Sequence, residues 1–118
     1  MAVAQPSPLQ SESEIDGLLR RAIGEKLPIS TVYDGKFRLL CPYMLGRNKD
    51  GQLRILCLQF GGESSSGLPR KAGAGDWRCL SIEKLSDVTL VVDEAWRTVS
   101  GSLRPPTCIE QVELKVSD

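Results

Sequence analysis

The amino-acid sequence predicts a mainly β fold: a small antiparallel β-barrel with one N-terminal amphipathic α-helix and an extra C-terminal strand. Three observations support this prediction. Apolar residues recur at helical spacing near the N-terminus, alternate with a period of two afterwards, and are interrupted by Asp-Gly turns. A chain of 118 residues has the length of one domain. Closure into a barrel would remove the exposed edges of so small a sheet.

The helix is predicted in "SESEIDGLLRRAIGEKL", after a polar leader of residues 1–10 that we expect to be mobile. Ser11 and Glu14 have the spacing of a capping box, in which each side chain accepts a hydrogen bond from the other residue's backbone. Gly24 and Pro28 mark the end of the helix. The apolar residues at helical spacing are Ile15, Leu18, Leu19, Ala22 and Ile23.

Three strands follow the helix. We expect Ile29–Tyr33 and Lys36–Leu45 to form a hairpin around the turn Asp34-Gly35. Pro42 has no amide hydrogen, so the second strand needs an edge position or a bulge at that residue. After a turn at Asn48–Gly51, the strand "QLRILCLQF" is apolar on both faces, which predicts cover on both sides.

The rest of the chain combines a long loop with three more strands. Residues 61–76, "GGESSSGLPRKAGAGD", have no periodicity and predict a loop that is either functional or disordered. Strands are predicted at Trp77–Ile82 and Val88–Val92, with a bend at Ser86-Asp87. The alternating "CIEQVELKV" predicts a last strand, which either completes the barrel or pairs with another subunit.

Charge and hydropathy exclude some classes of protein. The 15 basic and 15 acidic residues cancel, so the chain is not a uniformly basic nucleic-acid binder. Residues 34–84 nevertheless carry a net charge of +4. The N-terminus lacks the features of a signal peptide, and no apolar run is long enough to cross a bilayer. We therefore expect a cytoplasmic protein with no membrane partner.

The sequence has no histidine, and its four cysteines form no CxxC pair. A zinc site is therefore not expected, and we expect the cysteines to be buried free thiols. Ser-His and Cys-His nucleophile arrangements are also excluded. We predict that the protein is not an enzyme and that it has no cofactor.

About residues 15–92 resemble the WYL domain of bacterial transcriptional regulators. The resemblance is carried by "AIGEKLPISTVYDGKFRLLCPYMLGRNKDGQLRILCLQFGGES" and "WRCLSIEKLSDVTL". Arg54-Ile55-Leu56 stands where that family has Trp-Tyr-Leu, and Lys84 stands where it has arginine. The other matching positions, in the family's hairpin, glycine turn and final strand, are Tyr33, Gly35, Arg38, Pro42, Gly51, Trp77, Arg78 and Leu85.

The resemblance implies an SH3-like or Sm-like barrel at residues 11–92, with residues 93–118 as a C-terminal extension. WYL domains usually follow a winged-helix DNA-binding domain and are thought to sense a nucleotide or nucleic acid through a basic, aromatic-lined surface. Since only about ten residues precede the predicted helix, the resemblance implies a free-standing bacterial module that acts through partners or self-association.

Arginine forks and aromatic faces together suit phosphate and base recognition. The candidate ligand-binding residues are Tyr33, Arg38, Arg54, Trp77, Arg78 and Lys84. The alternative is that the arginines are solvated on a sheet face and the aromatic rings belong to the core. The long loop is a further candidate, because its amides and side chains could close over an anion. Its candidate residues are Ser64, Ser65, Ser66, Arg70 and Lys71.

The sequence therefore predicts a non-catalytic, regulatory ligand-binding module for an anionic ligand, either single-stranded nucleic acid or a nucleotide. The alternative is a protein-interaction module, in which the C-terminal strand forms a homodimer or docks on a partner. Salt dependence separates the two hypotheses, because counterion release weakens phosphate binding steeply as salt rises.

Overall fold

A computed structural model describes residues 10–62, 76–98 and 108–116. Most of the predicted leader and long loop, including the loop serines and Arg70-Lys71, lies outside these ranges. The predicted bounds are wrong at the described ends, because Gln10 exchanges hydrogen bonds with the backbone of Val88 at 2.8 and 2.9 Å, while Gly61, Gly62 and Asp76 belong to strands. The elements in chain order are helix α1 (Glu12–Glu25), β1 (Ile29–Tyr33), β2 (Lys36–Arg47), β3 (Leu53–Gly62), β4 (Asp76–Ser81), a 3₁₀-helix (Ile82–Lys84), β5 (Leu85–Leu90) and β6 (Gln111–Lys115).

Helix α1 begins with the predicted capping box. The backbone amide of Glu14 donates to Ser11 Oγ, and the amide of Ser11 donates to Glu14 Oε1, both at 3.0 Å. At the other end, Lys26 adopts a left-handed conformation with φ of 54°, which ends the helix two residues after Gly24. The buried side of α1 is formed by Ile15, Leu19, Ala22 and Ile23.

The strands form one antiparallel sheet in the order β4-β3-β2-β1-β5, with β6 paired to β2. Strand β2 pairs with β1 through its first half, where Leu40 lies opposite Ile29, and with β6 through its second half, where Leu45 lies opposite Leu114. The mainly β prediction with one helix and an extra strand is confirmed. Among the described residues no pairing joins β4 to β5, so the sheet is not seen to close.

Two irregularities were predicted with different success. The register between β2 and β3 shifts between Pro42 and Met44, so the predicted bulge is confirmed. On its other side β2 pairs with β1 as far as Leu40 and with β6 from Met44 onward, so Pro42 lies in the gap between these two partners. The bend predicted at Ser86-Asp87 is confirmed only as a local irregularity, since Asp87 has a φ of 50° and the register between β1 and β5 shifts beside it. The turn between β4 and β5 lies earlier, in the 3₁₀-helix. One 3₁₀ turn places residues three apart on the same side. Ile82 and Leu85 are accordingly both buried.

Strand β3 is covered on both faces, as predicted. On one face, Ile55 and Cys57 belong to the core that contains the buried side of α1. On the other face, Cys41 of the neighbouring β2 accepts a hydrogen bond from the amide of Arg97 at 3.3 Å. The ring of Trp96 lies 5.1 Å from that of Tyr43 on the same strand. The cover of the second face therefore includes a segment between β5 and β6 that the sequence did not identify as a packing element.

Strand β6 packs closely against β2 of its own chain. A Cβ atom at Gly46 would lie 2.2 Å from the carbonyl oxygen of Gln111, so only glycine permits this approach. Glu113 then accepts hydrogen bonds from Arg20 of α1 at 2.6 Å and from Arg47 of β2 at 3.1 Å. The last strand therefore joins the helix and the sheet of one subunit.

Two of the four cysteines are not free thiols. Cys79 and Cys108 form a disulfide with a Cα–Cα distance of 6.5 Å and a sequence separation of 29. The expectation of four free thiols is wrong for this pair, because the path of the chain from β4 to β6 brings distant residues together. Cys41 and Cys57 are free and buried, as expected.

In the parts of the chain that the structure describes, no helix is long and apolar enough to cross a membrane.

Candidate anion-binding site

Strand register brings three of the candidate residues, Tyr33, Arg38 and Arg78, to one face of the sheet. Arg38 of β2 lies opposite Thr31 of β1. Leu40, two residues further along β2, lies opposite Gln59 of β3. Arg78 of β4 lies opposite Cys57 of β3, and Cys57 is two residues before Gln59 in the same strand. Opposite residues of an antiparallel pair share a face, as do residues two apart along a strand. We name this group, Thr31, Tyr33, Arg38, Gln59 and Arg78, the Arg38 cluster.

Arg38 is the centre of the cluster and is only 3 % exposed. Its Nη1 atom donates to Gln59 Oε1 at 3.4 Å, and its guanidinium carbon lies 5.2 Å from the centre of the Tyr33 ring. The buried Nε atom has no hydrogen-bond partner among the described residues. The guanidinium is therefore held in position by an aromatic face and one long hydrogen bond.

The neighbours of Arg38 are themselves fixed. Gln59 is fully buried, and its Nε2 atom donates to the carbonyl oxygen of Gly61 at 3.0 Å, which orients Oε1 toward Arg38. The hydroxyl of Tyr33 accepts a hydrogen bond from the amide of Ser81 at 3.2 Å. The hydroxyl of Thr31 donates to the carbonyl oxygen of Ser86 at 2.7 Å. The side chains around Arg38 are thus held in position by hydrogen bonds within the protein.

The electrostatics of the cluster favour an anion. Burial lowers the pKa of Arg38, and the nearby positive charge of Arg78 lowers it further, while Tyr33 and Asp34 act in the opposite direction. An arginine side chain stays protonated in proteins despite such effects. No carboxylate in the described ranges forms a salt bridge with Arg38. A buried cation without a partner anion is costly for the folded state.

The structure separates the other candidates from the Arg38 cluster. Trp77 precedes Arg78 in β4, so its side chain lies on the opposite face, where its ring contacts that of Tyr43 edge to face at 5.0 Å. Arg54 also lies on the opposite face, next to Ile55, and donates to Gln52 at 3.5 Å. Lys84 is exposed on the 3₁₀-helix. The strand alternation in the sequence already contained this separation of Trp77 from Arg78.

Two members of the cluster, Thr31 and Gln59, were not identified from the sequence. Thr31 is 1 % exposed and Gln59 is 0 % exposed, although both are polar. Their positions were visible as exceptions in the alternation. Gln59 continues the core-facing series of Ile55 and Cys57, and a polar residue at such a position must find a partner inside the fold.

The side chains of the cluster supply guanidinium, phenol, amide and hydroxyl groups. These groups can neutralise negative charge and donate hydrogen bonds, with an aromatic face beside them. A comparison with protein families, curated proteins and solved structures gave no match to the chain. The functional argument therefore depends on the geometry of the Arg38 cluster.

Proposed function

We propose that this protein is a non-catalytic module that binds an anionic ligand, a nucleotide or single-stranded nucleic acid, at the Arg38 cluster. The observation that carries the proposal is the burial of Arg38 beside Arg78 without a carboxylate partner for Arg38 in the described ranges. Desolvating an unpaired ion costs several kcal/mol. An anionic ligand would return part of that free energy on binding, which makes the site a receptor for negative charge.

The proposal also includes the type of barrel and the family of the protein. Pairing of β1 with β5, and the single 3₁₀ turn between β4 and β5, support a small barrel of the SH3 or Sm type. The resemblance to WYL domains supports a regulatory role in a bacterium. The disulfide Cys79–Cys108 argues against the cytoplasm that the sequence predicted, because cytoplasmic thiols are kept reduced. Tyr33, Arg38 and Arg78 are the matched positions that the register places on one face.

Fluorescence anisotropy of short labelled single-stranded DNA and RNA, with unlabelled nucleotides as competitors, tests the proposal. If two phosphate charges are neutralised, affinity should fall about sevenfold between about 50 and 200 mM salt. Arg38→Met should abolish binding. Arg54→Met, which removes an arginine from the opposite face, is the matched control and should bind normally. Absence of binding by every oligonucleotide and nucleotide at low salt would contradict the proposal.

A second candidate function is homodimerisation or docking on a partner through β6. It is favoured by Val112, which is 50 % exposed on a strand that pairs on one side only within the described residues. Val112→Asp places a charge on that surface without touching the contacts of Glu113. A dimer of the unchanged protein that becomes a monomer in Val112→Asp, measured by light scattering after gel filtration, would support this function. A monomer at all concentrations would argue against homodimerisation.

A further inference from the structure

The depth of Arg38 limits which phosphate groups reach it. The side chain is 3 % exposed, and its neighbours Thr31 and Gln59 are fully or almost fully buried. An internal phosphodiester carries a nucleotide on each side, so both nucleotides would have to approach a side chain that is only 3 % exposed. A terminal phosphate projects from one side of its ligand and can reach a buried guanidinium alone. Burial therefore favours the end of a molecule over the middle of a polymer.

The charge of the site leads to the same class of ligand. The strand register places Arg38 and Arg78 on one face, and the charge of Arg78 lowers the pKa of Arg38. A phosphate monoester carries a charge of about −1.5 to −2 at neutral pH and three acceptor oxygens. A phosphodiester carries a single negative charge on two free oxygens. Arginine forks also bind phosphate oxygens in pairs, which a free monoester end permits.

From this depth and charge we infer that the Arg38 cluster binds a terminal phosphate monoester. The inference rests on the function proposed above and narrows its ligand class. The phosphate can come from a free mononucleotide or from the phosphorylated end of a single-stranded oligonucleotide. Arg38 provides the central charge, Arg78 the second charge, and Tyr33 holds the Arg38 guanidinium over its ring.

Isothermal titration calorimetry on the full chain tests the inference with four probes. The first three are a nucleoside monophosphate, the cyclic phosphodiester of the same nucleoside and the unphosphorylated nucleoside. We expect the monoester to bind at least tenfold more tightly than the diester and the nucleoside to give no measurable heat. The fourth probe is one oligonucleotide with and without a terminal phosphate. If the phosphate raises affinity only for the mononucleotide, the ligand is a free nucleotide. If the phosphate raises the affinity of both the mononucleotide and the oligonucleotide, either can be the ligand.

Arg38→Met distinguishes ligand binding from a purely structural role. Methionine is unbranched and uncharged, so the change removes the cost of burying the charge of Arg38. We expect an unchanged or higher Tm together with loss of the monoester preference. Arg54→Met should retain both. A lower Tm with unchanged monoester affinity would show that Arg38 is a structural residue and would overturn the inference.

The comparison of probes on the unchanged protein decides the question even if Arg38→Met does not fold. Equal affinity for monoester and diester, with both weakened by salt, would overturn the terminal-phosphate inference and leave the anion-binding proposal standing. No heat with any phosphate ligand would remove both. As an independent measurement, we expect the monoester to raise the Tm of the protein and the unphosphorylated nucleoside to leave it unchanged.

Discussion

The disulfide Cys79–Cys108 should supply a large part of the stability of this domain. We consider the double variant Cys79→Ser with Cys108→Ser, which removes the cross-link and keeps similar side chains. The bond joins residues with a sequence separation of 29. In the chain-entropy model, a loop of this length restricts the unfolded state by about 3–4 kcal/mol. For a domain of this size the loss corresponds to a fall in Tm of roughly 10–20 °C.

Urea unfolding followed by tryptophan fluorescence measures this free energy, because the rings of Trp77 and Trp96 both contact Tyr43 in the folded sheet. The unchanged protein with and without a reducing agent is the matched control, and the reduced form should unfold at the same urea concentration as the double variant. A loss below about 1 kcal/mol would refute the reasoning. It would mean that the unfolded chain is already restricted by residual structure without the cross-link.

Three further predictions concern the packing and chemistry of single residues. Gly46→Ala should destabilise the fold by about 1–3 kcal/mol in urea unfolding, because its Cβ would lie 2.2 Å from the carbonyl oxygen of Gln111. The control is Gly17→Ala, at an exposed helical position where a Cβ atom would meet nothing within 4 Å, and it should stabilise the fold by about 0.5–1 kcal/mol. Equal changes in stability for the two variants would contradict the argument. Ser11→Ala should cost about 1 kcal/mol by the same assay, since it removes the capping acceptor, and no loss would mean that α1 does not depend on its cap. Burial raises the pKa of Cys41 to about 11, so iodoacetamide at pH 8 should not label this thiol in the native protein. After unfolding without a reductant, mass spectrometry should show two labelled thiols, those of Cys41 and Cys57. Four labelled thiols would contradict the disulfide.

The candidate site was only partly predictable. Arg38 and Arg78 were identified as candidates because arginines with nearby aromatic residues suit phosphate recognition. Their convergence with Gln59 required the register of β2, β3 and β4, including the shift between Leu39 and Leu40. Trp77 illustrates the opposite case, since alternation along β4 was enough to place it on the other face.

Local interactions determined what the sequence alone could establish. The capping box at Ser11, the turn at Asp34-Gly35 and the two-sided burial of β3 depend on residues a few positions apart, and the sequence predicted all three. Only the tertiary structure decided which distant segments meet. Cys79 finds Cys108, β6 pairs with β2 of its own chain, and Arg38 is buried beside Gln59. These contacts depend on the path of the whole chain, because strand alternation specifies the face of a residue and not its partner across the fold.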